Sequence, residues 1–448
     1  MSKITLTDKQ QEVYEDFIER VHTFPGRSEC VLVGYAGTGK TTLVAEIVRA
    51  LHTGYNIAVT SPTHKANSVI RNMLLNNVGL RKEDAIVSTI HSFLGLKLVY
   101  EKSRQVLKHD PQSKNSNAHV DILIVDECSM ISEEMYQHIL DQIWRVRRAV
   151  LFIGDSCQLP PVESEGTGDE TKLSPTFDVN VKYELTEVLR QALDNPIIKI
   201  ATAIRECIGS TKSPSEVMNT VYGLDTILPV DCEDTFLEVY RQYIFEHKGS
   251  SKQIYDFVQE NKILAYTNYR VNLANIYIRN CMFEEHSNVE FVKGEPIVFE
   301  SIVENSPYVV QQIIQCPAVM PDNFMGIDCW KFMLPSGNYI LGVGPETRNA
   351  MEDKLQELVR HIEKKDINPL TKRAYMWQDY YIIKNKLHII NYPYATTVHK
   401  SQGSTFDRIW FDTDFIDRIP NNDTKCRILY TALTRPRFSI VLRQNGLY

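Results

Sequence analysis

Short apolar runs alternate with helical patterns through the first half of the chain. The runs at 30–34, 57–60, 122–126 and 150–154 are brief and unbroken, which predicts strands buried on both faces. Between them, apolar positions recur at helical spacing, as at 63–75 and 132–146, and predict helices that cover such a sheet. This alternation predicts a doubly wound parallel sheet. The rhythm returns at 263–267 followed by 271–278, and at 409–412 followed by 425–433. An α/β protein with two such units is expected, with no internal repeat visible between them.

Residues 288–387 have another texture. Strand-like runs at 296–299, 308–314 and 339–343 are broken by Pro, Gly and Asn. A helix follows, with Met351, Leu355, Leu358, Val359 and Ile362 on one face, and then an aromatic segment from Tyr375 to Tyr381. A β-rich insertion with a helical extension is expected there. A second insertion is expected at about 94–119. There Leu96, Leu98 and Tyr100 alternate, Lys102-Ser103-Arg104 would turn, and 105–108 would return as the second strand of a hairpin. The polar stretches 111–119 and 163–170 read as loops.

Composition narrows the class only slightly. A chain of 448 residues suggests about three domains. It is 43% hydrophobic and 23% charged, as expected of a soluble globular protein. No apolar run approaches the roughly 20 residues a bilayer demands, and the N-terminus lacks the apolar core of a signal peptide. Nine cysteines without metal-ligand spacing suggest reduced thiols in a cytoplasmic protein, with neither disulfides nor zinc. Net charge of −7 argues against coating nucleic acid through bulk positive charge, yet leaves a local basic groove open.

The chemistry begins at Gly34-Tyr35-Ala36-Gly37-Thr38-Gly39-Lys40-Thr41, which fits the phosphate-binding loop pattern GxxxxGK[ST] between a strand and a helix. Glycines let the backbone wrap a triphosphate while the helix N-terminus faces the anion. Gly34, Ala36, Gly37, Thr38, Gly39, Lys40, Thr41 and Thr42 are the candidate set for binding a nucleoside triphosphate. Lys40 would reach the β/γ-phosphates and the Thr41 hydroxyl would ligate Mg²⁺. The strand at 122–126 ends in two carboxylates. Asp126 is the candidate metal-side residue and Glu127 the candidate general base for attacking water, although Asp126 alone also suits a helix N-cap. Gln158, in the turn after the strand at 150–154, would sit near the γ-phosphate; alone, that turn is an ordinary loop.

Read in order, eight segments resemble the motif series of superfamily 1 helicases, in the subclass of the RecD and Pif-like enzymes. They are Gly34–Thr41, Thr60–Ala66, Ser88–Ser92, Asp126-Glu127, Gly154–Gln158, Leu185–Arg190, Thr397–Gly403 and Leu429–Arg435. The resemblance implies two RecA-like units: 1–178, and 179–287 with 388–448. It makes 288–387 an SH3-like insertion and 94–119 a strand-separating pin, with Tyr100 as candidate wedge. It assigns Arg190 and Arg435 as arginine fingers, Gln402 as an ATP-side residue and Gln10 as the adenine reader. A capping box from Thr7 to Gln10 competes for that glutamine. Pro62, Thr63, His64, Thr89, His91, Thr397 and His399 fall on the DNA side, with structural histidines as the alternative.

The activity so implied is that of a monomeric ATP-dependent DNA helicase. It would move 5′-to-3′ on single-stranded DNA and open forks in phage replication or recombination, beside a phage single-strand-binding protein and away from membranes. An RNA helicase and a nucleotide-switched strand-binding module stay open as alternatives. The latter has no need of Glu127, Arg190 and Arg435 together.

Overall fold

Strand β1 (Ser28–Gly34) is apolar on both faces because helices cover both sides of its sheet. In the computed structural model, Cys30 and Leu32 pack with Phe17, Leu43 and Ile47, while Val31 packs oppositely with Phe93, Leu123 and Phe152. The structure describes residues 5–443 apart from 76–78, 82–83, 102–103, 111–118, 162–171, 189–194, 220–226, 231–232, 247–250, 287, 302, 304–305 and 364–371. The first unit continues with β2 (Ile57–Ser61), β3 (Ile86–Thr89), β4 (Leu96–Glu101), β5 (Arg104–His109), β6 (Val120–Val125), β7 (Val146–Gly154) and β8 (Val181–Leu185). Its parallel sheet has the order β3-β2-β6-β7-β1-β8. The ends of β1, β6 and β7 therefore deliver Gly34, Asp126 and Asp155 to one edge, where open α/β sheets bind ligands.

Strands β4 and β5 form the expected antiparallel hairpin, apart from the main sheet. Arg104 pairs with Glu101, so it belongs to the second strand and not to the turn. Tyr100 pairs with Gln105, one pair before that end.

The second unit has β9 (Ile227–Val230) and β10 (Asn261–Ala265) before the insertion. The insertion runs through β11 (Pro296–Ser301), β12 (Ile313–Gln315), β13 (Val319–Phe324), β14 (Ile327–Met333), β15 (Tyr339–Val343) and β16 (Leu387–Asn391). The unit resumes with β17 (Ala395–Thr397), β18 (Phe406–Asp412) and β19 (Pro436–Arg443), in a parallel sheet ordered β17-β10-β18-β19-β9.

The insertion is a six-stranded sheet, β12-β11-β16-β15-β14-β13, backed by helices Arg348–Glu363 and Lys372–Lys384. Its last strand pairs with β11 and β15, so the chain returns to the second unit only after Asn391. The run at 308–314 is a strand only from Ile313. Gln311 has a φ of 64°, a left-handed conformation that breaks the ladder before it. The hairpin β13–β14 escaped the sequence reading because Val319-Met320-Pro321-Asp322-Asn323-Phe324 does not alternate.

Insertion and second unit share one core, in which Trp410, Tyr240 and Ile263 join Phe291, Phe299, Phe332 and Ile390. A buried ion pair pins this junction: Arg279, on helix Asn268–Met282, donates from Nε to Glu295 at 3.2 Å, with the side chains 2% and 0% exposed. Burial pushes the Glu295 carboxyl up to about 7, with Arg279 pulling the other way. Arg279→Met would strand that carboxyl in the core and should lower stability by about 3–5 kcal/mol in urea unfolding. Replacing Glu295 by Leu as well should recover most of the loss; a single variant as stable as the parent would show the pair to be incidental.

Candidate nucleotide cleft and strand-binding face

The phosphate loop is built by close approach. A Cβ on Gly34 would lie 2.9 Å from Thr38 Oγ1 and 3.0 Å from Lys40 Cδ, so only glycine fits. Gly37 and Gly39 have φ of 80° and 76°, conformations that glycine adopts without strain. Helix Lys40–Leu51 starts with no side-chain cap, which leaves its first N–H groups for an anion. Lys40 Nζ donates to the carbonyls of Gly34 at 2.5 Å and Tyr35 at 3.0 Å, contacts that phosphate oxygens would replace. Ala36 lies at the loop's turn, and Thr41 and Thr42 open the helix, Thr41 exposed.

Gln10 is buried and doubly committed. Its Oε1 accepts from Thr7 N–H and its Nε2 donates to the Thr38 carbonyl at 2.9 Å, so the capping box ties the first helix to the phosphate loop.

Asp126 and Glu127 follow β6. Asp126 Oδ1 accepts from the Glu127 N–H at 2.9 Å, and Glu127 has a φ of 55°, a strained conformation that commonly marks functional residues. Burial, and then the neighbouring Glu127 charge, push the Asp126 carboxyl above the usual carboxylate range. A divalent cation would relieve both effects. A threonine hydroxyl and a carboxylate are the oxygen donors Mg²⁺ takes, with phosphates and water completing its shell. Among the described residues no cluster of three or more His, Cys, Asp or Glu forms an all-protein metal site. Gln158 is buried in the turn after β7, and its Oε1 has no hydrogen-bond partner among the described residues.

The second unit meets this edge through helix Asn422–Leu433. Arg427 donates to the carbonyls of Ser156 and Gln158, and Thr431 Oγ1 accepts from Leu159 N–H at 3.2 Å. Arg435 lies just beyond the helix, buried, donating to the carbonyls of Thr431 at 3.0 Å and Ser404 at 3.2 Å. Burial lowers its pKa, while nearby Glu127 opposes that shift. Arg190 lies outside the described residues. Gln402 donates to the Leu159 carbonyl at 3.1 Å, a bridge between units rather than a contact with the phosphate loop.

A separate cleft of about 490 Å³ opens between the units and the insertion. Pro62, Thr63 and His64 line one wall, His399 and Lys400 another, and Val298 and Ile313 a third. Thr63 and Thr89 are helix N-caps, and Thr397 Oγ1 accepts from Lys400 N–H. Desolvation lowers the pKa of His64, His91 and His399, which favours neutral imidazoles at pH 7. Tyr100 is placed only by its backbone; its side chain lies outside the described residues. Sequence reading missed Lys65 and Lys262, which also line the cleft. Neither has a carboxylate partner among the described residues: Lys65 sits 4.2 Å over the Phe406 ring, and Lys262 donates to the Pro393 carbonyl. Burial, with Arg435 adding to it, lowers Lys65 to about 8. The only signal for Lys65 was its place beside His64.

A model described as an AAA domain matches residues 5–213, and one described as a UvrD-like helicase C-terminal domain matches 392–442. The chain is 27% identical over 445 residues to the ATP-dependent DNA helicase dda of Enterobacteria phage T4, covering 91% of this chain and 92% of that protein. It is 25% identical to the RecBCD enzyme subunit RecD of Buchnera aphidicola subsp. Schizaphis graminum, covering 91% and 68%. The solved structure of Bacteroides Pif1 bound to single-stranded DNA shares the fold, with a TM-score of 0.50 at 17% identity over 99% of this chain and 93% of that one. By these matches the chain is similar to RecD-like and Dda-like DNA helicases along both units. The segments at 34–41, 126–127, 154–158 and 429–435 meet at the nucleotide edge, and Pro62–Lys65 with His399, Lys400 and Gln402 line the inter-unit cleft, whereas Thr89, His91 and Thr397 are not among its lining residues.

The two roles weighed for Gln10 separate by mutation. Thr7→Ala should cost about 1 kcal/mol in thermal unfolding while leaving ATP affinity unchanged, since it removes only the cap. Gln10→Ala should lower both, because Thr38 also loses its tether; equal effects of the two variants on nucleotide affinity would reduce Gln10 to a cap.

Proposed function

We propose that the protein is an ATP-dependent DNA helicase that tracks 5′-to-3′ along a single strand and opens forked duplexes. One observation carries this reading. Gly403, with a φ of 69°, is so close to the first unit that a Cβ there would lie 3.0 Å from Ala66 Cβ, 3.5 Å from Thr63 Oγ1 and 3.6 Å from Glu127 Cγ. A single turn of the second unit thus abuts both the strand-side Thr63 and the candidate base. Relative movement of the units changes both surroundings together, which is what coupling hydrolysis to grip demands.

Lys40 and the loop amides would bind the triphosphate, and Thr41 and Asp126 would hold Mg²⁺, which screens phosphate charge. Glu127 would take a proton from water attacking the γ-phosphate. Gln158, buried in the turn after β7 with its Oε1 unpartnered among the described residues, would sense that phosphate. Arg435, and by the resemblance Arg190, would stabilise charge on the transferred group once the units close. Thr63, Thr89 and Thr397 would hold backbone phosphates without reading bases, as a motor for any sequence requires. The neutral histidines would stack or accept hydrogen bonds, and Lys65 would supply positive charge to the cleft, whereas burial, with Lys65 beside it, lowers Lys262 well below the usual lysine range. The pin role of β4–β5 and the wedge role of Tyr100 rest on the family resemblance. So do the direction, a monomeric state, work in a host cytoplasm and a phage single-strand-binding partner. The similarity to a phage enzyme favours phage replication or recombination.

Glu127→Gln should retain ATP binding and slow hydrolysis by about 10²-fold or more, the scale of general-base catalysis. The companion measurement is unwinding of duplexes with 5′ or 3′ tails, beside ATPase stimulation by DNA and RNA oligomers. Unwinding of 5′-tailed DNA alone is expected; stronger RNA stimulation would favour the RNA reading, and binding without unwinding the switch. Lys65→Gln should weaken single-strand binding and lower the slope of log affinity against log salt by about 0.7, as one lost phosphate contact does. An unchanged slope would remove Lys65 from the track.

A further inference from the structure

Tyr430 joins three parts of the nucleotide site through one oxygen. Its ring rises from helix Asn422–Leu433 of the second unit and is 2% exposed. The hydroxyl accepts a hydrogen bond from the Ala36 N–H of the phosphate loop at 3.1 Å. It donates its own proton to Asp155 Oδ2 at 2.6 Å. Asp155 is 1% exposed and shapes the turn that carries Gln158, since its Oδ1 accepts from Cys157 N–H at 3.0 Å. The polarity follows from the loop: an amide nitrogen can only donate, so the phenol oxygen accepts there and offers its own proton to the Asp155 oxygen. Burial, with Asp155 beside it, raises the pKa of the phenol and keeps its proton in place.

This contact differs from the others on the same helix. Arg427 and Thr431 bond backbone groups of the turn alone. Tyr430 alone of the three reaches the phosphate loop, and it lies five residues before Arg435. When the second unit moves away, Ala36 N–H and Asp155 lose their partner in the same movement. Water would take over both bonds on opening, so the relay favours the closed arrangement, in which loop, turn and arginine are in register, by the net worth of two directed hydrogen bonds.

We infer that Tyr430 is a positioning residue that makes ATP turnover conditional on closure of the two units, by holding the phosphate loop and the Asp155–Gln158 turn to the helix that leads into Arg435. The inference rests on the ATP-hydrolysing reading above. It predicts an effect on the transition state more than on nucleotide affinity, because only the closed arrangement contains the relay.

The test is steady-state hydrolysis by the full chain with saturating dT oligomer. Tyr430→Phe keeps the ring and removes the oxygen. Its kcat should fall about tenfold or more, the scale of one charge-assisted hydrogen bond, with KM for ATP within about twofold. Asp155→Asn approaches from the other side, presenting an amide where a carboxylate accepted, and should lower kcat similarly. The double variant should be no slower than the slower single by more than about twofold, since both remove one relay. A kcat for Tyr430→Phe near the parent value, a rise in KM matching the fall in kcat, or effects that multiply in the double variant would each overturn the inference. A parent chain that hydrolyses no ATP would overturn the underlying reading instead.

Discussion

The contact between helix Asn422–Leu433 and the turn 155–159 is the constraint on which the site depends. Arg427, Tyr430 and Thr431 recur at helical spacing on one face, and each meets a polar group of the turn. Leu159 continues the contact into the second unit's core, beside Val398, Phe406 and Leu433. The seam therefore combines apolar burial with hydrogen bonding at fixed directions. Apolar burial tolerates sliding, whereas directed bonds to backbone groups do not. Such a seam suits a joint that must separate and reform in one register.

Charge is distributed to match. At the nucleotide edge the acids Asp126, Glu127 and Asp155 gather around Lys40 and Arg435, and burial raises the cost of leaving any of them unpaired. In the neighbouring cleft, Lys65 and Lys262 have no carboxylate partner among the described residues. Lys400, by contrast, pairs with Glu300 of the insertion at 3.1 Å, and Glu300 also pairs with Arg348. A net charge of −7 thus coexists with a cleft whose lysines Lys65 and Lys262 lack carboxylate partners among the described residues, because the field in a cleft follows its walls and not the sum over the chain. Gly403 sits where the two environments touch, close to both Thr63 and Glu127.

Much of this was legible in the residues alone. Unbroken apolar runs and helical spacing predicted two parallel α/β units, because strands buried on both faces leave no alternation to misread. The phosphate loop announced itself through glycines whose spacing serves backbone geometry, and Asp126-Glu127 through acids at the end of a buried strand. The insertion was harder to read. β13–β14 is half exposed and interrupted by Pro321, and a left-handed Gln311 cut short a run that looked like one strand.

What the sequence determined by itself was local: the strands and helices, the loop that fits a triphosphate, and the ordered motifs that mark the family. Such features depend on neighbours a few residues apart, where periodicity and backbone geometry act. Tertiary structure alone decided that Tyr430 bonds Ala36 across 394 positions, that Gln402 bridges to Leu159, and that Lys65 and Lys262 face one cleft. It also gave Gln10 its second partner, Thr38, 28 residues away. No spacing rule predicts such pairs, because folding brings their partners together only after each has taken its place in a separate sheet or helix.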